Sequence, residues 1–274
     1  MKIPETVNVA IFATYKSNEK AIDDVCHYIE NNLTDIIQLP ELFFIDEKST
    51  MNNADNLKSI ELICEKLINR IKAVLRPYQY VCTSILLDGS HQAVIINNKG
   101  LFATQQQLQF CNKYPWTPLG SELNAIELPL EQGTLRFAML TADDANLPKL
   151  VKTPVLNDIH VLLVPFDIQI ANEVEDGLLS LAASHRICIV AASKEKSFEI
   201  ELPNDSQKYS GKKNTIKNKK AAGFIANIPL PPGLLPQWKS PKLTEDNNNI
   251  IVKYQYGKIT KAVIHPIATL STSQ

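Results

Sequence analysis

Groups able to do chemistry crowd into one short run, Arg136-Phe-Ala-Met-Leu-Thr-Ala-Asp-Asp-Ala-Asn-Leu-Pro148. Residues 137–140 are apolar and read as a buried strand. The strand passes into a sharp polar turn, small at Thr141 and Ala142, acidic at Asp143 and Asp144, and closed by Pro148. A tight turn at a strand end is where an α/β scaffold holds a nucleophile rigid and exposed. Here the place is present and the nucleophile is not. Ala142 offers a methyl group, and the Thr141 hydroxyl would need strong activation. Asp143 and Asp144 could be read as a metal pair. Turn chemistry already accounts for aspartates there, and no histidine stands beside them, so no metal is expected.

Other reactive side chains are scattered. Glu41 stands directly after a short apolar segment, residues 35–40. Lys113 and Cys111 lie on a Pro- and aromatic-rich stretch, residues 105–122. The five cysteines, at 26, 64, 82, 111 and 188, are odd in number and form no CxxC pair. That argues against a disulfide framework or a thiolate zinc site, and fits a reducing, cytoplasmic setting. Cys26 and Cys64 fall on apolar helix faces and Cys82 and Cys188 in apolar strands, so all four read as core. Cys111 reads first as a small packing residue. His185 reads as a satisfied helix histidine. Trp116 and Trp238 pack under loops or line a pocket mouth.

The elements that must position these groups alternate along the chain. Residues 7–12 form a short buried strand. Ser17 is a candidate N-cap for a helix whose Ile22, Val25, Cys26 and Ile29 share one face. The strand at 35–40 follows. A second helix over 56–76 repeats Leu57, Ile60, Cys64, Leu67, Ile71 and Leu75, and Pro77 ends it. Strands are expected at 78–87 and 92–96, joined by Asp88-Gly89-Ser90, and then from Leu101 into the glutamines. Further strands are expected at 125–128, 134–140, 160–165, 187–192, 222–228, 250–256 and 262–265, with a helix over 172–184. Such alternation indicates helices covering sheets. Neither an internal repeat nor a Gly/Ser linker interrupts it, so one domain over 1–274 is expected, with its core at about 7–265.

Composition sets outer bounds. The 274 residues carry a formal net charge of -1, with 45% hydrophobic and 21% charged residues. This is ordinary for a globular protein and argues against nucleic-acid or anionic-membrane partners. The lysines at 208, 212, 213, 217, 219 and 220 read as a solvated loop rather than a nucleic-acid patch. No apolar run approaches the roughly 20 residues that span a bilayer, and the N-terminal residues lack signal-peptide order.

Leu39-Pro40-Glu41-Leu42, Lys113 on the central loop, and the strand-turn ending in Asp144 and Pro148 follow one another in a set order. With Leu181-Ala-Ala-Ser-His-Arg-Ile-Cys-Ile-Val-Ala-Ala-Ser193 behind them, they resemble the nitrilase superfamily of carbon–nitrogen hydrolases. The resemblance covers roughly residues 7–265. It implies a four-layer α-β-β-α sandwich. It implies Glu41 as general base, Lys113 as the cation facing the oxyanion, and Glu122 as the second carboxylate, with Glu131 the weaker choice. Aligned this way, Ala142 takes the place of the nucleophilic cysteine, Asp143 stands where a Tyr is usual, and the later helix motif is altered. The family's chemistry joins a thiolate, a carboxylate and a cation, because an amide or nitrile carbon is a poor electrophile. The resemblance therefore implies an impaired or non-catalytic relative that keeps a pocket for a small amide- or carboxylate-like ligand. The alternative is an active hydrolase using Thr141, Cys111 or water activated by Glu41. Neither cofactor nor metal is expected, and the resemblance implies a homodimer or larger homo-oligomer.

Overall fold

The computed structural model describes residues 2–12, 19–45, 54–110, 114–146, 154–166, 187–193, 198–199, 220–221, 223–226 and 259–264, together with Leu178, Leu181 and His185. The expectations for Ser17, Cys111, Lys113, Pro148, Trp238 and the strand at 250–256 lie outside the described residues. So does most of the helix at 172–184.

Two sheets carry the structure. The first contains β1 (Val7–Phe12), β2 (Ile36–Gln38), β3 (Tyr80–Leu87), β4 (Ser90–Asn97) and β5 (Gly100–Gln106). The second contains β6 (Ile126–Leu130), β7 (Gly133–Met139), β8 (Val161–Phe166) and β9 (Cys188–Ser193). A small ribbon pairs β10 (Phe198–Glu199) with β11 (Lys220–Ala221). β12 (Gly223–Ala226) then joins the second sheet beside β9, and β13 (Ile259–Ile264) returns to the first sheet beside β1. The sheet orders are β13-β1-β2-β3-β4-β5 and β12-β9-β8-β7-β6. β1, β2 and β3 run parallel, as do β7, β8 and β9, while the hairpin strands are antiparallel. The two chains of parallel strands therefore send their C-terminal ends out as loops, which is where open α/β sheets gather functional groups.

Side-chain alternation builds the layers. In β1, Val7, Val9 and Ile11 point between the sheets, where they meet Phe137, Met139, Leu163 and Val190 of the second sheet. Ala10 and Phe12 point the other way, onto helices α1 (Glu19–Asn31) and α2 (Ala54–Val74). On the outer face of the second sheet, Leu162, Val164 and Ile189 pack against Ala142, Ala145, Leu178 and Leu181. The result is helix, sheet, sheet, helix. The apolar stripes read from the sequence are the buried ones: Ile22, Val25 and Ile29 on α1, and Ile60, Cys64, Leu67 and Ile71 on α2. No described helix is long and apolar enough to cross a membrane.

One local expectation changes form. The polar turn after β7 is a single turn of helix, α3 (Ala142–Asn146), with Asp143 and Asp144 in its first turn. The Thr-Ala-Asp-Asp sequence explains this. The Thr141 carbonyl accepts the Ala145 N–H at 3.0 Å, and carboxylates are favoured beside the free N–H groups of a helix start.

Candidate functional site

Glu41 is held by backbone bonds to both sheets. Leu39 N–H donates to the Cys82 carbonyl at 2.9 Å, and Thr83 Oγ1 donates to the Pro40 carbonyl at 3.1 Å. Glu41 N–H donates to the carbonyl of Phe166, the last residue of β8, at 3.3 Å. The next residue, Leu42, adopts φ 39°, a left-handed conformation that is uncommon for a leucine. That bend lets Leu42 N–H donate to Ser84 Oγ at 3.1 Å. The Glu41 side chain is therefore fixed at the ends of the parallel strands, and the residue is only 3% exposed.

His91 meets it there. By strand alternation His91 belongs to the inward row of β4 that includes Ala93 and Ile95. Its Nε2 lies 3.3 Å from Glu41 Oε1 and 3.0 Å from Ser84 Oγ, and its Nδ1 lies 3.0 Å from Gln107 Oε1. The bonding settles the tautomer. Gln107 Nε2 donates to the Gln109 carbonyl at 2.6 Å, so the amide oxygen faces the imidazole and Nδ1 carries hydrogen. Nε2 is then directed at Glu41 and Ser84. His91 N–H donates to Thr117 Oγ1 at 2.8 Å, and the Tyr114 ring covers the imidazole with centroids 4.4 Å apart. Glu41, Ser84, His91, Gln107 and Tyr114 are all buried.

The segment after β7 completes the site. Asp143 and Asp144 face different partners. Both Asp144 carboxylate oxygens accept from Leu108 N–H, at 2.9 and 3.0 Å, and Oδ1 also accepts from Gln109 N–H at 2.9 Å. Thr141 Oγ1 donates to Asp144 Oδ2 at 2.9 Å. Burial pushes the Asp144 carboxyl up to about 6, against the pull of these donors. Asp144 is thus an anchor that ties the irregular segment after β5 to α3. Asp143 turns to the other partners: one of its carboxylate oxygens lies within 4.8 Å of the Glu41 carboxylate and an imidazole nitrogen of His91. Ala142, one residue earlier, is buried.

Of the residues singled out in the sequence, Glu41 and the 141–144 segment come together. Lys113 and Cys111 lie outside the described residues; Tyr114, next to Lys113, packs on His91. Glu122 is exposed and lines a polar depression with Gln92, Gln105 and Asn124. Glu131 is also exposed and lies beside Asp35, at the opposite end of β2 from Glu41. The described cysteines are buried and free. Burial pushes the Cys64 thiol up to about 12 and raises those of Cys26, Cys82 and Cys188, which suits packing and not nucleophilic attack.

His91, Ser84 and Gln107 carry the site and were not read from the sequence. Their signal was available: a histidine at an inward-facing position of an apolar strand, opposite another strand interrupted by Thr83 and Ser84. Buried polar side chains of this kind require partners.

With this geometry in place, comparison with solved structures shows the fold. The chain superposes on a carbon–nitrogen hydrolase from Helicobacter pylori G27 with a TM-score of 0.63 and 13% identity, covering 95% of this chain and 89% of that one. It superposes on the glutamine-dependent NAD+ synthetase of Acinetobacter baumannii with a TM-score of 0.61 and 14% identity over 94% of this chain, yet spans only 45% of that enzyme's length. A third likeness is to the amidase of Nesterenkonia sp. AN1, a nitrilase-superfamily protein, as a cysteine-to-alanine mutant in complex with butyramide. Here the TM-score is 0.54 and the identity 16%, over 70% of this chain and 77% of that one. No protein-family model matches the sequence, and no curated protein does. The fold is that of the nitrilase-superfamily carbon–nitrogen hydrolases, the α-β-β-α sandwich expected from the motifs.

Proposed function

We propose that this chain is a nitrilase-type protein that has given up thiolate hydrolysis and keeps a pocket for a small amide- or carboxylate-like ligand. The observation that carries this reading is the setting of Ala142. It opens α3 three residues after β7 ends, is buried, and adjoins Asp143, whose carboxylate lies within 4.8 Å of the Glu41–His91 pair. A methyl group there supplies no electrons to a carbonyl carbon. Loss of a nucleophile removes most of the rate, typically by several orders of magnitude. Loss of binding need not follow: the Nesterenkonia amidase carrying alanine for cysteine was captured with butyramide.

A second reading rests on the 2.9 Å bond from Thr141 Oγ1 to Asp144 Oδ2, a hydroxyl beside a carboxylate. The same bond fits a helix-start anchor, and Thr141 is wholly buried. We favour the first reading. The test is to incubate the purified protein with a panel of amides, nitriles and carboxylates, following product release, intact mass and thermal shift. Stabilisation by a panel member without turnover or acyl adduct is expected. Turnover that Thr141→Ala abolishes would overturn it.

A further inference from the structure

A second cavity lies away from Glu41, at the edge strand β5. It measures about 430 Å3 and, apart from Leu87 and Gly120, is lined by polar side chains. Gln92 of β4 and Gln106 of β5 are register partners, so their amides stand side by side on one face, and Thr104 shares that face at a spacing of two. His91, one residue before Gln92, points to the opposite face, toward Glu41. We propose that this depression binds a neutral polyhydroxylated ligand of monosaccharide size. The site goes beyond the pocket beside Ala142 and does not depend on it.

The wall of the cavity is fixed by the chain itself. Gln105 is buried and stitches the segment after β5 to the strand. Its Nε2 donates to the Glu122 and Gln106 carbonyls at 3.0 and 3.1 Å, and its Oε1 accepts from Asn124 N–H at 3.1 Å. At the other end of the wall, Gly120 N–H donates to the Gln107 carbonyl at 2.8 Å. Gly120 comes this close because it has no side chain: a Cβ there would meet Gln106 Cβ at 3.1 Å. Ser121, Glu122 and Asn124 stand exposed along the cavity between these ties. A wall already held in place costs little further ordering when a ligand binds.

Gln92 points to a ligand. It is only 7% exposed, yet its amide is poorly served within the chain. Nε2 donates to the Leu87 carbonyl at 3.4 Å, beyond the usual range, and no described residue donates to Oε1. A buried amide has two donor hydrogens and an acceptor oxygen to satisfy. The lining sets the class of ligand. The amides of Gln92, Gln106 and Asn124 each donate and accept, the Ser121 hydroxyl does the same, and Asp88 and Glu122 add acceptors. A sugar hydroxyl is donor and acceptor at once, so adjacent hydroxyls match such a set. An anion would meet two acidic side chains and no Lys, Arg or His. An apolar ligand would meet Leu87 alone among apolar side chains. A compact cation site needs several ligands drawn together, and among the described residues the group of three that does so lies elsewhere, at Glu41.

The test presents the full chain with D-glucose, D-galactose, D-mannose and myo-inositol, each titrated by saturation-transfer NMR. Saturable binding of at least one of them is expected. Gln92→Leu leaves a ligand hydroxyl facing a methyl group and should weaken that binding about 10-fold, as loss of a hydrogen-bonding partner does. Glu122→Ala, on the exposed wall, should weaken it as well. Glu131→Gln, exposed and outside the cavity lining, should leave it unchanged. Each variant is checked for folding by circular dichroism, and Glu122→Ala carries the test should Gln92→Leu unfold. Absence of binding by every member of the panel would overturn the proposal. So would binding that survives Glu122→Ala and, where it folds, Gln92→Leu. Tighter binding of putrescine or citrate, lost in the same variants, would overturn it too, since the site would then select charge.

Discussion

Glu41 Oε1 and His91 Nε2 lie 3.3 Å apart, with both side chains 1% exposed. The pair belongs to a buried polar cluster that also includes Ser84 and Gln107. Removing the imidazole with His91→Phe takes a partner from the buried Glu41, Ser84 and Gln107 side chains and should destabilise the fold by about 1–3 kcal/mol. Glu41→Gln keeps the shape and can donate to the Nε2 lone pair, so its cost should stay near ~1 kcal/mol. Urea denaturation of both variants and of the double variant measures the coupling.

Ala142→Cys asks whether the pocket is still poised for thiol chemistry. A thiol there would stand at the start of α3, one residue before Asp143, whose carboxylate lies within 4.8 Å of that of Glu41. The described native cysteines have raised thiols and should react slowly. Made in a Cys111→Ser background, the new thiol is expected to react with iodoacetamide faster than a free cysteine at pH 7, with a fall when Glu41→Gln is added. An ordinary rate would mean that the residues around position 142 no longer activate a nucleophile.

Asp144 holds two backbone N–H groups and one hydroxyl. Asp144→Ala leaves those amides without their acceptor, each at a cost of roughly 1–3 kcal/mol. The expected readouts are a lower urea midpoint and faster proteolysis between residues 106 and 114. Asp144→Asn retains one oxygen at the Oδ1 position that both amides share, and should lose much less.

Gly133 opens β7 where the N-terminal segment crosses. A Cβ on it would sit 2.4 Å from the Lys2 carbonyl oxygen, and Thr134 N–H donates to that oxygen at 2.9 Å. Gly133→Ala must push residues 2–4 away, with a loss of about 1–3 kcal/mol. Hydrogen exchange at the Thr134 amide should accelerate more than at the amides of β8.

Burial lowers the affinity of His160 for a proton, and the neighbouring Arg136 acts in the same direction. The folded value lies below the ordinary 6.5, so the unfolded chain takes up the proton first as pH falls. Stability from this residue is complete above pH 6.5 and declines as pH drops from there toward the folded value. A histidine NMR titration should place the His160 midpoint below 6.5. Replacing it with Asn should flatten the acid limb of the stability curve.

The elements of this fold were legible because they are local. An apolar stripe every three or four residues specifies α1 and α2, a short apolar run specifies β1, and Asp88-Gly89-Ser90 between two apolar runs specifies the β3–β4 hairpin, without knowledge of any neighbour. The order Leu39-Pro40-Glu41 and the strand before Thr141 pointed to the sandwich, and it is the resemblance that implies a sulfur where Ala142 stands. The helical form of the 142–146 segment was less legible, since small and acidic residues suit a turn and a helix start equally well.

What the sequence by itself determined is the set of parts: which segments are strands and helices, which faces are apolar, and that position 142 carries only a methyl group. Tertiary structure decided who meets whom. Asp143 and Asp144 are neighbours in the chain, yet one faces Glu41 and His91 and the other faces the Leu108 and Gln109 amides. His91 is an unremarked strand residue until the pairing of β3 with β4 and the bend after β2 bring Ser84 and Glu41 to its Nε2. Side-chain periodicity is a property of a segment. Convergence depends on strand order and register, which the whole core settles at once.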